Sequence, residues 1–148
     1  MTMFTKLFID TGGFVALADR NDMHHDRAVE FYRALSRDIQ RITSLPVISE
    51  SYAWILYHLG GQQARQWLRY VEEAEAQGLL SVVYPDRELE KKARQIIYRF
   101  EDQDISYVDA LTLAILQSNS EIDAIFSFDR HMLLAGISVL PGALKVKR

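Results

Sequence analysis

Short apolar runs alternate with longer stretches of helical periodicity along the whole chain. Residues 6–9, Lys-Leu-Phe-Ile, form an apolar run that ends at Asp10, and Thr11-Gly12-Gly13 leads into a second run at 14–18. A buried strand, a tight turn and a helix start are predicted there. Residues 22–39 place Ala28, Phe31, Tyr32 and Leu35 at helical spacing, with His24 and His25 at the beginning of the helix. A short strand follows at 41–44. Leu45-Pro46 then starts a helix, since proline suits the first helical position, and Gly60-Gly61 ends it. Residues 62–77 read as a helix with Trp67, Leu68 and Val71 inward and Arg65, Arg69, Glu72, Glu73 and Glu75 on a solvated face. A β-rich run at 79–84 is a third strand, and Pro85-Asp86 opens a helix to about Phe100 whose outer side carries Arg87, Lys91, Arg94 and Arg99.

The densest pattern lies at 102–131. Acids lead into an apolar helix beginning near Ser106, and a short apolar run at 124–128 ends on Asp129. Residues 130–134 read as one more short helix, and 137–140 as an edge strand stopped by Pro141-Gly142. Strands alternating with helices throughout predict one α/β domain over 1–148, built on a largely parallel sheet, with 142–148 as a flexible basic tail.

Composition narrows this picture in two ways. The chain has no cysteine, which excludes disulfides and thiolate zinc sites and suits a cytoplasmic setting. No apolar run approaches the roughly 18 residues that a membrane span needs, and the first residues do not read as a secretory signal. The net charge of −3 argues against a protein that grips nucleic acid by phosphate neutralisation alone. It suits clustered carboxylates that recruit a cation.

Four acids fall at matching places. Asp10 leaves the first strand, Glu50 lies in the helix after the second, Asp109 opens the helix before the fourth, and Asp129 leaves the fourth. In a right-handed parallel sheet, strand exits and the helix starts that follow them share one edge, where ligands bind. Each acid also has a plain structural reading. Asp10 or Thr11 could cap a helix. Glu50 shares a stripe with Val47, Ser51 and Trp54 but could point to solvent. Ser106-Tyr107-Val108-Asp109 has capping-box spacing, and Asp129 could cap the next helix. His24 and His25 lack a convincingly placed partner and read as a core-edge pair. Four independent acids at βα junctions favour a shared site. Such carboxylates repel one another, and Mg²⁺ or Mn²⁺ would remove the repulsion. With no nucleophile arrangement standing out, metal-assisted phosphodiester hydrolysis is the expected reaction class.

The segments Ile9-Asp10-Thr11, Ser49-Glu50, Ser106-Tyr107-Val108-Asp109-Ala110 and Ser127-Phe128-Asp129-Arg130-His131 together resemble the PIN domain, especially small ribonucleases of the VapC toxin type. The resemblance covers essentially the entire chain in order and spacing. It implies a three-layer α/β/α fold around a mostly parallel sheet of about five strands. It also implies endonuclease action on RNA dependent on Mg²⁺ or Mn²⁺, homodimerisation, and for toxins inhibition by a bound antitoxin protein. Carried over by position, Asp10, Glu50 and Asp109 would hold metal directly, and Asp129 directly or through water. Ser127 and Thr11 would orient neighbouring acids, and Asp102 receives no role. Gly12 departs from the serine common after this Asp-Thr pair, which touches only a supporting hydrogen bond.

Three rivals differ in chemistry. A non-catalytic PIN-like module holding RNA or protein would be expected to have lost one of the acids. A phosphotransferase of the haloacid-dehalogenase kind needs a second Asp two residues after the first, where this chain has Gly12. A receiver domain needs adjacent acids after its first strand.

Overall fold

The computed structural model describes residues 4–142. Five strands form a single sheet: β1 (Lys6–Ile9), β2 (Gln40–Ser44), β3 (Leu80–Val83), β4 (Ala124–Ser127) and β5 (Ser138–Pro141). Every pairing is parallel, and the order across the sheet is β3-β2-β1-β4-β5. Among the described residues the α-helices are α1 (Thr11–Ala18), α2 (His25–Arg33), α3 (Leu45–Leu59), α4 (Gly61–Ala76), α5 (Arg87–Arg99) and α6 (Tyr107–Ser118). All four residues of β4 and the last three of β1 are buried, so alternate side chains are covered on both sheet faces. This is the three-layer α/β/α arrangement. Among the described residues, no helix is long and apolar enough to cross a membrane.

The strand order places the site. From β1 the chain builds outward through β2 to β3, then returns past β1 to lay down β4 and β5 on the other side. The direction of winding therefore reverses between β1 and β4, and the crevice at their carboxyl ends is where such sheets bind ligands. Ile9 pairs with Phe126, and the Asp10 amide donates to the Phe126 carbonyl at 3.1 Å. The two exits bearing Asp10 and Asp129 are thus adjacent.

Local structure departs from the sequence expectations in four places. Thr11-Gly12-Gly13 is no separate turn; it is the first turn of α1. Gly13 is required there for closeness, because a Cβ would sit 2.9 Å from the Phe126 carbonyl oxygen and 3.0 Å from its ring. The helix expected over 22–39 shortens to α2. Asp22 starts it late, its carboxylate accepting from the His24 amide at 2.8 Å, while the Arg41 guanidinium holds the carbonyls of Ser36 and Ile39 in a loop. The helix after Asp129 is a 3₁₀ helix, Arg130–Ala135, closed by Gly136 in the left-handed region at φ 75°. Pro141 belongs to β5, opposite Ser127, where an edge strand tolerates proline. Of the basic tail expected at 142–148, all beyond residue 142 lies outside the described residues.

Candidate metal centre

Asp10 follows β1 directly and is buried, 2% exposed. It occupies the N-cap position of α1 in extended backbone, yet its side chain caps nothing. The carboxylate turns toward β4 instead. Its Oδ2 accepts from the Ser127 hydroxyl at 2.8 Å, and its buried Oδ1 accepts no well-formed hydrogen bond. Burial lifts the Asp10 carboxyl to about 6. The Ser127 hydroxyl and the nearby Thr11 amide pull it down, whereas the charges of Asp129 and Glu50 push it up. A buried carboxylate with an idle oxygen and two acid neighbours is a costly arrangement in the absence of a cation.

Thr11 lies one residue inside α1, and its hydroxyl donates to Glu50 Oε1 at 2.6 Å. That bond ties the first turn of α1 to α3 and draws the half-buried Glu50 toward the β1 exit rather than into solvent. The helix of Glu50 is itself well started. Ser44 caps it by accepting from the Val47 amide at 3.3 Å, and Pro46 follows in the first turn.

Asp109 lies in the first turn of α6, which runs back from the carboxyl edge toward the start of β4. Ser106 Oγ accepts from the Asp109 amide at 3.1 Å, so half of the capping box is formed. The reciprocal bond, from the Ser106 amide to the Asp109 carboxylate, is not made among the described residues. That carboxylate faces the other acids. Its pKa is pushed up to about 8, first by burial, then by the close Asp129 carboxyl and by the charges of Asp10 and Glu50. Asp10 and Asp109 therefore both feel the charges of Glu50 and Asp129 at this edge of the sheet.

Asp129 forms the cap foreseen for it and also stays within the acid cluster. Its Oδ1 caps the 3₁₀ helix by accepting from the His131 amide at 2.9 Å, and it remains beside Asp109. Ser127 links the two strand exits: its hydroxyl donates to Asp10 and accepts from the Asp129 amide at 3.0 Å. One buried serine thus orients one acid through its side chain and another through its backbone.

His131 belongs to this site, and sequence reasoning did not single it out. Its Nδ1 lies 3.5 Å from Asp129 Oδ1 and 3.8 Å from Asp109 Oδ2. The signal was its position two residues after an acid that caps a short helix, which turns the side chain back over the cap. His24 and His25 stay outside the acid cluster. His24 stacks on the Phe128 ring with centroids 4.2 Å apart, and His25 Nδ1 is 2.7 Å from the Ala16 carbonyl. Asp102 lies in an exposed turn away from these contacts.

Among the described residues, Asp109, Asp129 and His131 lie close enough to share one ion, whereas Asp10 and Glu50 stand outside that tight group and act on it through their charges. Carboxylates held by hydroxyls and amides that supply no positive charge suit a hard divalent cation. A cleft of about 920 Å³ lies elsewhere, among Phe14, Tyr32, Leu35, Trp67, Tyr70 and Val71. It contains no acid and so offers no hydrolytic group.

Known proteins bear on the fold and the family. The sequence is significantly similar to no curated protein. Among solved structures, Mycobacterium tuberculosis VapC20, described as a sarcin-ricin loop cleaving toxin, superposes with a TM-score of 0.76 at 22% identity, over 88% of this chain and 95% of that one. FitAB bound to a DNA fragment matches at 0.68 and 13% identity over 96% and 98% of the two chains. FitAcB from Neisseria gonorrhoeae matches at 0.62 and 15% identity over 90% and 95%. At these identities the likeness shows the fold. The family model of the PIN domain matches residues 7–136, spanning all four acids and the whole sheet apart from the last strand and the first residue of β1. The chain belongs to the PIN domain family.

Proposed function

We propose that the protein is a divalent-metal-dependent endoribonuclease that hydrolyses RNA phosphodiesters at Asp10, Glu50, Asp109 and Asp129, and that it is the toxin of a toxin–antitoxin pair. The observation that carries the reading is the buried Asp10 carboxylate, with an idle oxygen and three acids around it. Membership of the PIN family and the fold shared with an RNA-cleaving toxin support the same chemistry.

In this reading Asp10, Glu50 and Asp109 hold Mg²⁺ or Mn²⁺ directly, and Asp129 does so directly or through water. An ion held there would lower the pKa of its bound water and stabilise charge on the phosphate in the transition state. The chain supplies alignment. Ser127 fixes the rotamer of Asp10, Thr11 draws Glu50 inward, and the His131 amide holds Asp129. Because these groups are already oriented, little reorganisation remains to be done when substrate arrives. The partners in this reading are an RNA substrate, an inhibitory antitoxin protein and a second copy of the chain.

Incubation of the purified protein with varied RNAs, with Mg²⁺ or Mn²⁺ and with EDTA, tests the reading. Internal cleavage that requires the ion and disappears in Asp10→Asn and Asp109→Asn is expected. Cleavage that persists in EDTA would overturn the metal mechanism, and RNA binding without cleavage would point to a non-catalytic module.

A further inference from the structure

Among the described residues, Asp109, Asp129 and His131 each offer one atom such that all three lie within 4.8 Å of one another, close enough to hold a single ion. The distances from His131 Nδ1, 3.5 and 3.8 Å, are longer than a well-formed N–H···O bond of about 2.9 Å. They are the separations of groups gathered round a common point and not bonded to one another. Two ligands about 2.1 Å from a common octahedral ion lie about 3.0 Å apart when adjacent and about 4.2 Å apart when opposite. The observed values equal neither separation, and a shift of about half an ångström at the side chains would bring the ring and the carboxylates to adjacent positions around one ion. The imidazole makes no hydrogen bond among the described residues, and its backbone amide is pinned to Asp129 at 2.9 Å, so the ring is carried by the turn that Asp129 caps. The buried Asp10 Oδ1, which accepts no well-formed hydrogen bond, on a carboxylate whose charge Asp109 feels, points independently to a cation at this edge.

We propose that His131 is itself a ligand of the ion, through Nδ1, and that its nitrogen makes the site prefer a first-row transition ion such as Mn²⁺ over Mg²⁺. This rests on the metal-site reading above and goes beyond it by naming a nitrogen ligand and a selectivity. Mg²⁺ takes oxygen ligands in near-ideal octahedra and keeps its waters, so an imidazole adds little to its binding. First-row transition ions accept imidazole more readily than Mg²⁺ does, and Mn²⁺, lowest in the first-row affinity order, gains least among them, so its preference over Mg²⁺ is the most demanding case of this selectivity. Removing the imidazole should therefore weaken Mn²⁺ selectively and leave the carboxylate site able to take Mg²⁺.

The test uses the full chain, wild type and His131→Asn, with Mn²⁺ and Mg²⁺ titrated separately by calorimetry. Electron spin-echo modulation is recorded on the Mn²⁺-loaded forms, with and without ¹⁵N-histidine. The expected result is a directly bound histidine nitrogen in the wild type that is lost in His131→Asn. Mn²⁺ affinity should fall by roughly tenfold or more, the scale seen even when supporting groups around a metal are removed, with Mg²⁺ affinity nearly unchanged. His131→Gln serves as a second variant. Mn²⁺ bound without nitrogen coupling, or an unchanged Mn²⁺:Mg²⁺ affinity ratio in both variants, would overturn the His131 assignment while leaving the acid site standing. Tighter binding of both ions in the variants would show that the ring opposes the cation, and would overturn it too. Failure of the wild type to bind either ion would overturn the metal-site reading and this inference together.

Discussion

Replacing Asp10 by Asn should inactivate the enzyme and, in the absence of metal, make it more stable. The carboxyl is raised from its ordinary 3.8 to about 6 by burial, with added repulsion from Asp129 and Glu50. For a raised carboxyl the stability is fully present below the unfolded value and is lost as pH rises through the folded one. Between 3.8 and about 6 the loss accumulates to about 3 kcal/mol, and it stays constant above that. Asparagine keeps the shape and can still accept from Ser127 while carrying no charge. Part of the gain is offset by its amide, which must find a neighbouring acid, leaving roughly 1–3 kcal/mol. For a chain of this size about 2–4 °C of Tm corresponds to each kcal/mol, so Asp10→Asn should melt roughly 2–12 °C higher than wild type at pH 8 in EDTA. The gap should close toward pH 4. Saturating Mn²⁺ should raise the wild type and leave the variant little changed, reversing the order. Thermal melts over a pH series, with and without metal, read all of this. An Asp10→Asn protein less stable than wild type at pH 8 in EDTA would refute the claim that the carboxylate is buried without adequate compensation.

Other consequences follow from neighbouring contacts. Ser127→Ala removes the donor to Asp10 Oδ2 and the acceptor of the Asp129 amide; it should cost about 1–3 kcal/mol in thermal or urea melts and weaken metal binding, with Ser127→Thr restoring both. Gly13→Ala forces a methyl to within 2.9 Å of the Phe126 carbonyl oxygen; overpacking of this kind costs about 1–3 kcal/mol, and a melt equal to wild type would show that α1 can shift freely away from β4. At metal concentrations below saturation, RNA cleavage should fall as pH drops from about 8 through about 6, since protons compete with the ion for Asp109 and Asp10. A pH–rate profile at two metal concentrations checks this, and the fall should move to lower pH as metal rises.

Much of the molecule was legible because its devices are local. Strand exits ending in acids, proline at a helix start, Ser106 ahead of an apolar helix and Gly60 after one are signals that act within a few residues, and each lies where the periodicity placed it. The expectation that the acids converge follows from a rule about parallel sheets, and the reversal of winding between β1 and β4 sets the Asp10 and Asp129 exits side by side. What was misread depended on contacts between distant segments. Gly12-Gly13 looks like a turn until Phe126 is seen pressing on Gly13. The end of α2 is set by Arg41 reaching back to the loop, which no spacing within residues 22–39 could reveal. For Thr11 two readings stood open, a cap or a support for a neighbouring acid, and its hydroxyl bond to Glu50, 39 residues away, fits the second. His131 escaped notice because a short 3₁₀ turn, rather than a helical period, swings it back over Asp129.

The shared cation is tested most directly by anomalous diffraction from crystals grown or soaked with Mn²⁺. A single strong peak about 2.0–2.3 Å from carboxylate oxygens of Asp10 and Asp109 is expected, with Glu50 and Asp129 around it and the peak absent in Asp10→Asn. Manganese bound only at other surfaces, in crystals of a protein that still cleaves RNA, would contradict the idea that these four acids meet to hold the catalytic ion.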